Sequence, residues 1–100
     1  MNANFDSIIR STAKMSAVAE DSTYNITAEV HIEGPTVTKM TDGRVMLANA
    51  EVAVFNVWDG GKLRVAFNIA DKAARMNVLS EIEAFVEAVV AKVNIEPITV

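Results

Sequence analysis

From Thr23 to Glu33 polar and apolar residues alternate without a fault. Tyr24, Ile26, Ala28, Val30 and Ile32 fall on one side, and Asn25, Thr27, Glu29, His31 and Glu33 on the other. A period of two marks a half-buried antiparallel strand. Gly34-Pro35 ends it, because proline brings no N–H to a ladder. Residues 8–19 are less clean. Period two places Ile9, Ser11, Ala13, Met15, Ala17 and Ala19 on one face, whereas a helix gathers Phe5, Ile8, Ile9 and Thr12. The alternation from 10 to 17 favours a strand. Residues 20–22 read as a turn and residues 1–7 as a frayed start.

Two glycine-containing dipeptides predict hairpin turns: Asp42-Gly43 and Gly60-Gly61. A bend or bulge near Ala50 is expected between the two hairpins. With Gly60-Gly61 as a two-residue loop, Trp58 faces Leu63, Asn56 faces Val65, Val54 faces Phe67 and Val52 faces Ile69. This set predicts a core layer, with Asn56 as its one polar member. The opposite face then holds Val57 beside Arg64, Phe55 beside Ala66, and Ala53 beside Asn68. A fully wetted face would be polar, and this one is half apolar.

The period changes after Asp71. At about 100° per residue, Val78, Leu79, Ile82, Phe85, Val86, Val89, Val90 and Val93 fill one arc of about 140°. Asp71 suits a cap for a helix starting at 72, and Ser80 with Glu83 has capping-box spacing for a later start. Asn94 is the expected end, with residues 94–100 as an extended tail that Pro97 bars from a central strand position. The predicted architecture is a single α+β domain over residues 1–100. It is an antiparallel sheet of four to five strands with one C-terminal amphipathic helix packed on one face.

Composition narrows the chemistry. Among 100 residues there is no cysteine, which excludes disulfides, thiol catalysis and thiolate metal sites. The formal charge is −4, and its source is local. Beyond residue 75 the only basic residue is Lys92, against Glu81, Glu83, Glu87 and Glu96. Generic attraction to phosphate backbones is disfavoured. There is no apolar run of membrane-spanning length and no signal-peptide pattern, so a soluble, cytoplasmic protein is expected.

No serine elbow, phosphate loop or zinc-hydrolase signature is present. His31, the single histidine, stands between Glu29 and Glu33 on a strand's outward face and has no second histidine to complete a common zinc site. Turn chemistry accounts for Asp42 and Asp59. The expectation is a non-enzyme with no cofactor and no metal.

A single helix covers one side of a sheet, so the semi-apolar face of the 51–69 hairpin calls for a partner. The expected interface is Phe55, Val57, Ala66 and Arg64, with Ile98 and Val100 from the tail. A homo-oligomer is the simplest cover. An acidic helix face of Glu81, Glu83 and Glu87 suits a protein partner with a basic surface. Size and composition suit a small viral or phage accessory protein that binds a host protein. The alternative is a small single-stranded nucleic-acid-binding protein using Arg10, Lys14, Lys62 and Arg64 with sheet aromatics.

Overall fold

Among the described residues six successive strands form one antiparallel meander, each beside its neighbour in the chain, and a long helix follows. The computed structural model describes residues 1–9, 11–19, 23–58 and 61–95. The strands are β1 (Ala3–Ile9), β2 (Thr12–Val18), β3 (Tyr24–Glu33), β4 (Thr36–Leu47), β5 (Ala50–Trp58) and β6 (Lys62–Phe67), and the helix is α1 (Lys72–Ile95). The class is α+β, as predicted, with six strands where four to five are expected. The start of the chain is not frayed, because β1 pairs with β2 from Ala3↔Ala17 to Ile9↔Thr12. The expected turn at residues 20–22 lies outside the described residues.

The alternation in β3 translates directly into burial. Tyr24, Ile26, Ala28, Val30 and Ile32 are all buried, as are Ala13, Met15 and Ala17 of the adjoining β2. Gly34-Pro35 is the β3–β4 loop, between the paired Glu33 and Thr36, and Gly34 takes a φ of 61°. Ala48-Asn49 is the β4–β5 loop, between Leu47 and Ala50, and Ala48 takes a φ of 55°.

Asp42-Gly43 is not a hairpin turn. Both residues lie inside β4, which runs on through them. Asp42 has a φ of 53° and sits where the ladders to β3 and β5 both shift register, so the dipeptide is a β-bulge. Gly43 is needed there for space. A Cβ on it would stand 2.6 Å from the Phe55 carbonyl oxygen and 2.6 Å from the Phe55 ring. A second bulge, at Val52, turns both Val52 and Ala53 inward, close to the bend expected near Ala50.

Gly60-Gly61 does not act as a two-residue loop either. Trp58 pairs with Lys62, so residues 59–61 form the connection, of which Asp59 and Gly60 lie outside the described residues. That one-residue difference turns β6 over relative to the expectation. Phe55 now pairs with Val65, Val57 with Leu63 and Ala53 with Phe67.

Asp71 caps α1, its Oδ2 accepting the Ala74 N–H at 2.9 Å. The helix then runs without a break past Ser80 and beyond Asn94 to Ile95. Residues 96–100, including Ile98 and Val100, lie outside the described residues. Val78, Ile82, Phe85, Val89 and Val93 are buried completely, a contribution of about 1.5–3 kcal/mol each before chain entropy. The helix packs across β4, β1 and β3. No polar or charged residue is buried among those described.

Candidate functional site

The helix divides the sheet into a covered side and an open side. Phe55 is 1% exposed and Val57 6%, and both belong to the covered side. The Phe55 ring meets the Phe85 ring edge to face, with centroids 6.0 Å apart. The expectation that Phe55 and Val57 await a partner is therefore corrected: their own helix is the lid. Both faces of β5 carry apolar residues, and the length of the connection to β6 decides between them.

The open side of β5 and β6 carries the pairs Val54↔Ala66, Asn56↔Arg64 and Trp58↔Lys62. Asn56 is exposed there rather than in the core. The Arg64 guanidinium lies 5.2 Å from the Trp58 ring centroid, a cation–π contact along the diagonal of that face. Arg64 and Ala66 are thus exposed as expected, but on the face opposite Phe55 and Val57. Lys14 shares the open side from β2, four strands from Lys62 and Arg64 on β6, which is roughly 19 Å away at normal strand spacing. The structure does not bring the cations together, and Arg10 lies outside the described residues.

His31 is half-buried on the open side, with Nε2 3.3 Å from Thr41 Oγ1 and 4.0 Å from Glu29 Oε1. No group of three or more metal-ligating side chains occurs among the described residues. A depression of about 370 Å³ nearby mixes Lys14 and Arg44 with Asp6, Glu29 and Asp42, charges of both signs that are largely open to water.

The expected acidic helix face is split. Glu83 and Glu87 are neighbours one turn apart and exposed, while Glu81 is half-buried on the other flank, about 160° away from Glu83 around the helix.

One surface is largely apolar and is not covered by any other described residue. On the helix side of β6, Leu63 and Val65 are only partly buried, and Phe67, which follows in the same alternation, is 36% exposed. The flank of α1 beside them carries Met76, 63% exposed, Leu79, 39%, and Val90, 46%. A cleft of about 180 Å³ opens between Val86 and Val90 of the helix and Met40, Val57 and Gly61 of the sheet. This strip forms because the buried arc of α1 is narrower than the apolar arc in the sequence. Leu79 and Val90, expected inside, lie at its wet margin. Among the described residues β6 is also an edge strand, with β5 on one side only.

No family model, no curated protein and no solved structure matches the chain.

Proposed function

We propose that this chain is a non-catalytic assembly protein that works as a homo-oligomer, its contact surface being the strip between β6 and the adjoining flank of α1. The observation that carries this reading is the row of Met76, Leu79 and Val90 along one flank of α1, with Glu83 among them and Phe67 of β6 beside it, the four apolar side chains all at least 36% exposed. Exposed apolar side chains beside a strand edge that no other described strand pairs are the form that association surfaces take. No described helix is long and apolar enough to cross a membrane.

Sedimentation at micromolar concentration tests it. The chain should sediment as a dimer or higher oligomer. Met76→Asp, at a position that is 63% exposed, should yield a folded monomer with unchanged circular dichroism. A wild-type chain that stays monomeric at high micromolar concentration overturns the reading.

A second reading has one observation in its favour. Trp58, stacked by Arg64 and paired with Lys62, presents an aromatic face with two cations on the open side. Salt-sensitive quenching of the single tryptophan by oligo-dT would favour it. Loss of that quenching in Arg64→Ala would localise it.

A further inference from the structure

We infer that two copies join antiparallel along the exposed flank of α1, with a two-fold axis between Met76 and Leu79, so that Lys72 of each copy meets Glu83 of the other. This inference rests on the proposed self-association and specifies its geometry. Lys72, Met76, Leu79, Glu83, Val86 and Val90 succeed one another at alternating steps of four and three residues. That is the spacing of a coiled-coil seam, roughly 3.5 residues per turn. It is a second seam, beside the one made by the fully buried Val78, Ile82, Phe85, Val89 and Val93, and of its members only Val86 packs against the protein's own core.

The charges along this seam select orientation and register. A parallel pair would set Lys72 against Lys72 and Glu83 against Glu83. Antiparallel pairing about a point between residues 77 and 78 sets Met76 against Leu79 in two central layers, closed at each end by Lys72 against Glu83. Shifting the pairing by one heptad sets Leu79 against Glu83 and Lys72 against Val90, which buries charges against aliphatic side chains. Only the first arrangement matches every layer. Within the described chain neither Lys72 nor Glu83 has an ion-pair partner, so both are available to another copy. Val86 and Val90 then run past the other copy's helix start toward the apolar end of its β6, where Phe67 is exposed and Ile69 half-buried.

Charge reversal in the full-length chain tests the arrangement by sedimentation velocity over a concentration series. Lys72→Glu and Glu83→Lys should each weaken the dimer by about tenfold, since each sets two like-charge pairs in place of two attractive ones. The double variant should restore wild-type affinity. Circular dichroism should be the same for all, because both positions are exposed. A dimer unmoved by the single changes, or weakened by both and not restored by the pair, overturns this geometry while leaving self-association standing. A monomeric wild-type chain overturns self-association itself.

Discussion

Phe55 and Phe85 meet at 6.0 Å between centroids with their planes 72° apart, joining β5 to α1. The Phe55 ring has Gly43 on the neighbouring strand beside it, with no room there for a methyl group. Sheet, ring and helix therefore form one stack through the middle of the protein. Phe85→Ala should cost about 3–5 kcal/mol, the usual range for emptying a buried aromatic site. Urea denaturation will read this as a lower midpoint. A loss under about 1 kcal/mol would mean that the helix is not seated on the sheet at this point.

Gly43→Ala tests the same stack from the other side. The added carbon would stand 2.6 Å from a backbone oxygen, so the strand itself must move. About 1–3 kcal/mol should be lost, the range for overpacking a well-filled core. Urea denaturation checks it: a neutral or stabilising effect would mean that the Phe55 ring and carbonyl do not crowd this position.

Ala48 holds a φ of 55° at the first position of the β4–β5 loop, a place that type II′ turns give to glycine. Left-handed backbone costs a residue with a Cβ about 1–2 kcal/mol. Ala48→Gly should therefore raise stability, by up to about 1 kcal/mol after the extra chain entropy of glycine in the unfolded state. A rise in thermal midpoint checks it.

Asp71 accepts the Ala74 N–H at 2.9 Å and begins the helix. Asp71→Ala should cost about 0.5–2 kcal/mol. Amide exchange should quicken in the first turn of α1 and not around Phe85, since loss of a cap frays one end.

Some of these elements were legible before folding was considered. The strict alternation of Thr23–Glu33 needs no partner to be interpreted, because period two has one meaning when every position obeys it. Asp71 announces the helix through local chemistry, a carboxylate within reach of an N–H three residues on. Asp42-Gly43 misled for an instructive reason. The dipeptide carries turn chemistry, and Asp42 does adopt a positive φ. That kink is spent inside a continuous strand, and the glycine answers to an aromatic ring twelve residues away in sequence.

The amino-acid sequence by itself determined an α+β chain with antiparallel strands, a capped helix after Asp71 and no chemistry for thiols. Local periodicity and capping set those features, and both act within a few residues. Tertiary structure alone decided which side of β5 is inside. Val54 and Phe55 are both apolar, and only the three-residue connection after Trp58, the space over Gly43 and the arrival of Phe85 separate them. It also decided which margin of the apolar helix arc stays wet. A helix against a sheet buries only the positions that the sheet can reach, and Met76, Leu79 and Val90 lie beyond that reach.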